Sequence, residues 1–61
     1  MDQNLIKIID LVSLGKTNKE IAAELHYSPS TVKRRIKELF NLYKVNNRLS
    51  LAQEHLMERL N

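Results

Sequence analysis

Thr17-Asn18-Lys19-Glu20-Ile21-Ala22-Ala23-Glu24-Leu25-His26-Tyr27-Ser28-Pro29-Ser30-Thr31-Val32-Lys33-Arg34-Arg35-Ile36 is the stretch that decides how this chain folds. It opens on a capping box, in which the Thr17 hydroxyl accepts from the Glu20 amide while the Glu20 carboxylate returns to the Thr17 amide. A helix therefore starts at about residue 18 and carries Ile21, Ala22 and Leu25 over about two turns. His26-Tyr27 breaks it. Ser28-Pro29 then starts a second one, with Ser as N-cap and Pro at the first helical position, where the missing N–H costs nothing. On this next helix Val32, Ile36, Leu39, Phe40 and Tyr43 fall within roughly a 100° arc, the width of a core-facing stripe. Ser30, Arg34, Lys37 and Asn41 fall on the opposite side, flanked by Lys33 and Arg35.

Working outward, Leu5, Ile8, Ile9 and Val12 repeat at i, i+3, i+4 and i+7, the spacing of an amphipathic helix. Leu14-Gly15 closes it, because Gly accepts the left-handed conformation at a helix C-terminus. A last helix begins near Asn46 or Asn47 as N-cap and carries Leu49, Ala52, Leu56 and Leu60 on one stripe. The expected fold is all-α, a single four-helix domain over residues 1–61 with short connections. A two-turn helix, a three-residue turn and a longer helix with a polar outer face make a helix-turn-helix, whose second helix enters the DNA major groove. Ala22 suits the close approach of the two helices, and Val32 is placed to pack back against it. His26 stands where the turn usually has Gly; His is among the residues that tolerate positive φ, so the turn survives at a small strain.

Charge agrees with a polyanionic partner. The 61 residues carry a net +3. Between residues 16 and 48, Lys16, Lys19, Lys33, Arg34, Arg35, Lys37, Lys44 and Arg48 oppose only Glu20, Glu24 and Glu38, whereas the two flanks are mildly acidic. A basic middle on a folded module points to nucleic acid. The absence of cysteine excludes a disulfide framework, thiolate zinc sites and thiol catalysis. No apolar run approaches the ~18 residues of a spanning helix, so no membrane partner is expected. Met1-Asp2-Gln3-Asn4 lacks the pattern of a secretory signal, so a cytoplasmic location is expected. A stand-alone regulator and a cut fragment beginning at an added Met1 both fit the sequence. There is no Gly-rich phosphate loop, no paired carboxylates in a cleft and no triad, so neither catalysis nor a cofactor is expected. His26 and His55 lie far apart without ligand-spaced carboxylates, and no metal is expected either.

Gly15-Lys16-Thr17-Asn18-Lys19-Glu20-Ile21-Ala22, then Leu25, Ser28, Thr31-Val32-Lys33 and Ile36, and finally Val45-Asn46-Asn47-Arg48 with Ala52, resemble the LuxR/GerE-type bacterial DNA-binding domain over about residues 5 to 58. The resemblance implies a four-helix domain that regulates transcription by sequence-specific binding to double-stranded DNA. It implies inverted or direct half-sites and dimerisation commonly through the last helix. It also implies that Lys33, Arg34 and Lys37 face bases, while Thr17, Ser30, Thr31 and Arg35 face phosphates. Asn18, Lys19 and Lys44 complete the expected phosphate set. The expected homodimer interface is Leu51, Leu56, Met57 and Leu60, with Leu49 and Ala52 docking inside the domain; RNA polymerase is a further expected partner.

Several of these residues have a second reading. Thr17 is first a helix cap, and its hydroxyl and neighbouring amides can also meet a phosphate. Glu20 has three: capping, solvated surface, or, as the resemblance implies, an ion pair with Arg48 that ties the second helix to the fourth. Tyr27 and Tyr43 read as packing residues and Phe40 as core. Two other functions compete: the C-terminal DNA-reading region of a sigma factor, which shares the Glu-Ile-Ala to Thr-Val-Lys stretch, and a protein-binding adaptor that engages the transcription machinery without touching DNA.

Overall fold

The computed structural model describes residues 2–60; Met1 and Asn61 lie outside the described residues. Four helices follow one another: α1 (Gln3–Ser13), α2 (Asn18–Leu25), α3 (Pro29–Tyr43) and α4 (Arg48–Leu60). Each start is held by a side chain that accepts from an otherwise unpaired amide of the first turn. Asp2 accepts from the Asn4 amide at 2.7 Å, Ser28 from the Thr31 amide at 3.1 Å, and Asn47 from the Ser50 amide at 2.8 Å. Asn47, and not Asn46, is thus the cap of α4. At α2 the capping box is complete: the Glu20 amide donates to Thr17 Oγ1 at 3.1 Å and the Thr17 amide to Glu20 Oε1 at 2.8 Å. The Thr17 backbone and hydroxyl hold the exposed Glu20 carboxyl below the usual carboxylate range.

The first three helices all stop in the same way. A residue in the left-handed region follows each helix, and the next amide reaches back five residues: Lys16 N to Leu11 O at 3.1 Å, Tyr27 N to Ala22 O at 2.9 Å, Val45 N to Phe40 O at 3.0 Å. This is the Schellman geometry, which satisfies carbonyls that the helix leaves open. The left-handed residues are Gly15 (φ 83), His26 (φ 60) and Lys44 (φ 55). Gly15 and the tolerance of His26 follow the sequence; Lys44 has no local signal, because its conformation is set by Val45 turning back toward the core. For L-residues the left-handed region costs roughly 1–2 kcal/mol, part of which Gly gives back as extra unfolded-state entropy. His26 is exposed, so His26→Gly should stabilise the chain by about 0.5–1 kcal/mol. Chemical denaturation checks this, and a loss of stability would show that the His26 side chain contributes more than its strain.

The core is built mainly from one face of each helix: Leu5, Ile8, Ile9 and Val12 of α1, Ile21 and Ala22 of α2, Val32, Ile36 and Leu39 of α3, and Leu51 of α4. Leu11, Leu25, Tyr27, Phe40, Tyr43 and Val45 pack around it, so Phe40, read as core, lies at its edge. Ala22 and Val32 are both buried, as the close packing of α2 on α3 requires.

The fourth helix departs from the sequence reading. Leu51, expected at a dimer surface, is 0% exposed and fully in the core, whereas Leu49, expected to dock, is 68% exposed. The buried stripe is Leu51 and His55, with Arg48 and Ala52 half-buried beside them. The stripe of Leu49, Ala52, Leu56 and Leu60 is richer in leucine, yet it is not the one that faces inward. The stripe with a histidine in it is buried with His55 Nε2 on Asp10 Oδ1 of α1 at 2.7 Å, which pairs one ring nitrogen and lowers the cost of burying it, while Nδ1 has no hydrogen-bond partner among the described residues.

Candidate nucleic-acid interface

Burial of Val32, Ile36 and Leu39 fixes the rotation of α3 about its own axis. Helical spacing then decides what the other side offers. Ser30, Lys33, Arg34 and Lys37 are all exposed and together line one surface hollow. Among the described residues none of Lys33, Arg34 and Lys37 is held in an ion pair. Three cationic side chains thus stand clear on about one and a half turns of a helix whose far side is packed. Such groups can donate to any acceptor that approaches.

Arg35 behaves differently. It is half-buried, its Nη1 lies 3.4 Å from Glu38 Oε2 one turn along, and its Nε is buried without a partner among the described residues. Its charge is therefore partly spent within α3, although the pair is open enough to water to be weak. At the helix start, Ser28 Oγ and Thr31 Oγ1 sit 2.9 Å apart, so Thr31 belongs to the cap as well as to the surface. Ser30 is free on the exposed side.

The start of α2 forms a second basic corner. Lys19 is exposed and Lys16 half-buried, and the exposed Thr17 hydroxyl accepts from the Glu20 amide. Arg48 joins them from α4. The ion pair that the family resemblance implied between Arg48 and Glu20 is absent among the described residues: Arg48 Nη1 donates to Asn18 Oδ1 at 2.7 Å and Nη2 to the Lys16 carbonyl at 2.6 Å. The capping box keeps Glu20, and the planar guanidinium fork suits the two oxygens that the α1–α2 turn presents. Asn18, an expected phosphate contact, consequently has its carbonyl oxygen occupied and only its amide N–H groups to offer. Lys44 is exposed at the other end of α3.

The family profile for bacterial regulatory proteins of the luxR family matches residues 6–55. The chain belongs to the luxR family. In this luxR-family chain the match runs from the first core turn of α1 to His55 of α4, so it includes both helices of the helix-turn-helix and the Arg48 strap. Over 49 residues, or 80% of its length, the chain is 43% identical to the HTH-type transcriptional regulator AlkS of Alcanivorax borkumensis. It spans 6% of that relative's own length. No solved structure gives a significant match. The four-helix, strand-free fold of the described residues is the one the family implies, and the family is one of bacterial regulatory proteins. Among the described residues, no helix is long and apolar enough to cross a membrane.

Proposed function

We propose that the whole chain acts as one module that binds double-stranded DNA sequence-specifically in the bacterial cytoplasm, with α3 in the major groove and two copies joined through α4. The observation that carries this reading is the exposed, unpaired face of Lys33, Arg34 and Lys37 on a helix locked by Val32, Ile36 and Leu39. The major groove admits one α-helix, and Arg or Lys donating to guanine O6 and N7 is the commonest specific pairing there. Lys33, Arg34 and Lys37 are the proposed base readers. Thr17, Lys19, Ser30, Thr31 and Lys44 are proposed to hold phosphates, with lesser shares for Arg35, whose charge Glu38 shares, and for Asn18 through its amide group. The N-terminus of α2 adds free amides and a partial positive charge at the same corner.

One small module grips a short half-site weakly, and a second copy raises the effective concentration of the first. Leu56, Met57 and Leu60 are 49%, 58% and 86% exposed and, with Leu49, give α4 an outward apolar face that nothing among the described residues covers. That is the proposed dimer surface. Leu51 takes no part in it. RNA polymerase would be met by whatever surface remains free once DNA is bound.

The test is binding of the chain to random duplex DNA across a salt series, followed by selection from a randomised duplex library. With about six phosphate contacts, the affinity for random duplex should fall by roughly a thousandfold between ~50 and ~200 mM salt, the slope being about −0.9 per contact. An enriched half-site motif is then expected. No binding to duplex at low salt would overturn the proposal in favour of an adaptor that meets protein partners only.

A further inference from the structure

The outer half of α4 is attached to the rest of the molecule in an unusual manner. Beyond Leu51 the buried residue of α4 is His55, so polar groups fix this half of the helix in place. His55 Nε2 bonds Asp10 Oδ1 of α1 at 2.7 Å, and Arg59 Nη1 lies 3.4 Å from the same oxygen. From α3, the Tyr43 hydroxyl donates to Glu58 Oε2 at 2.7 Å, and that oxygen lies 3.9 Å from His55 Nδ1. One set of side chains thereby ties α4 to α1 on one side and to the end of α3 on the other. The same turns carry Leu56, Met57 and Leu60 outward.

Apolar contacts tolerate sliding, whereas hydrogen bonds to charged groups are directional and short-ranged. The outer turns of α4 extend about 13 Å beyond Leu51, a lever whose angle the polar contacts set. In a two-fold dimer any tilt of α4 against α3 is applied twice, once in each copy. Lengthening the gap between half-sites by one base pair displaces the second site by about 3.4 Å and turns it by about 35°. A dimer can therefore select a spacing only if α3 and α4 are held at a fixed angle.

We propose that Tyr43 and Asp10, gripping Glu58 and His55, form a positioning clamp that fixes the angle of α4 against α3 and so determines which half-site spacing the dimer accepts. This rests on the α4 dimer proposed above. Tyr43 and Asp10 touch no DNA in this scheme; they act through α4.

The test uses the full chain and duplexes carrying the half-site that it selects, in pairs separated by spacers lengthened one base pair at a time. Tyr43→Phe and Asp10→Asn keep shape; the first removes the hydrogen bond to Glu58, and the second removes the charge that strengthens the bonds from His55 and Arg59. Each should lower the preference for the best spacing over the next by about fivefold, the weight of one such hydrogen bond, while affinity for a single half-site stays within about twofold. Burial first, and then Glu58, push the Tyr43 phenol up to about 12. Glu58→Gln should accordingly let it ionise at lower pH in an ultraviolet titration, which reports the contact itself. Variants that keep the full spacing preference would overturn the clamp. Leu56→Glu with Leu60→Glu separates the two ideas: it should abolish cooperative binding to paired half-sites. If cooperativity survives there, the dimer falls and the clamp with it; if it is lost there while Tyr43→Phe and Asp10→Asn leave spacing untouched, the clamp alone falls.

Discussion

Leu51→Ala should cost 2–5 kcal/mol, an expected range of about the size of the total stability of a domain this small. A chain of this length buries only about 60% of the surface that it exposes when unfolded, so its margin is a few kcal/mol. Leu51 is the one buried apolar side chain that α4 supplies, and no solvent reaches it. Truncating it leaves a cavity bounded by α1 and α3, the helices that α4 packs against, and frees the first half of α4 to detach. Leu49, two residues earlier, gives the control. It is 68% exposed, and Leu49→Ala should change stability by no more than about 0.5 kcal/mol. Urea denaturation of the two variants at a concentration too low for association separates them. Equal losses, or a larger loss at Leu49, would mean that α4 packs with the leucine stripe inward and that its phase in the structure is wrong.

That pair of residues also marks where reading the sequence stopped working. The starts of α2 and α3 were legible because Thr17, Glu20, Ser28 and Pro29 act on amides within a few residues of themselves, and the structure forms each of those bonds. Gly15 and His26 were legible for the same reason. The face of α3 was legible because its apolar stripe is unambiguous, and the exposed cations follow from it by spacing alone. The fourth helix offers two candidate stripes, and the choice depends on Asp10, 45 residues away, which makes His55 the better residue to bury. The partner of Arg48 was hidden likewise: Asn18 and the Lys16 carbonyl reach it only after the α1–α2 turn has folded beside the start of α4. Local chemistry can be read along the chain. Pairings between distant helices cannot, and they decide how α4 is presented.

Arg34→Ala should weaken binding to the selected duplex by about 1–3 kcal/mol, roughly five- to 150-fold, and relax the preference at one base pair. The substitution is clean because Arg34 is exposed and pairs with nothing among the described residues, so the free protein loses neither a core contact nor an ion pair. What it loses is a rigid planar fork of donors that matches two acceptors on one guanine edge, a geometry that the single flexible ammonium of Lys holds less firmly. Arg34→Lys should therefore recover the salt-dependent part of the affinity and little of the base preference. Arg35→Ala provides the contrast from the neighbouring position. Its guanidinium is turned toward Glu38, so any share that it has in DNA binding is charge alone, and its removal should weaken selected and random duplex alike and flatten the salt slope by at most about one. Competition binding with both duplexes at two salt concentrations measures all of this. If Arg34→Ala weakened the selected and the random duplex by the same factor, Arg34 would be a phosphate contact like the others, and the reading of bases would have to lie with Lys33 and Lys37.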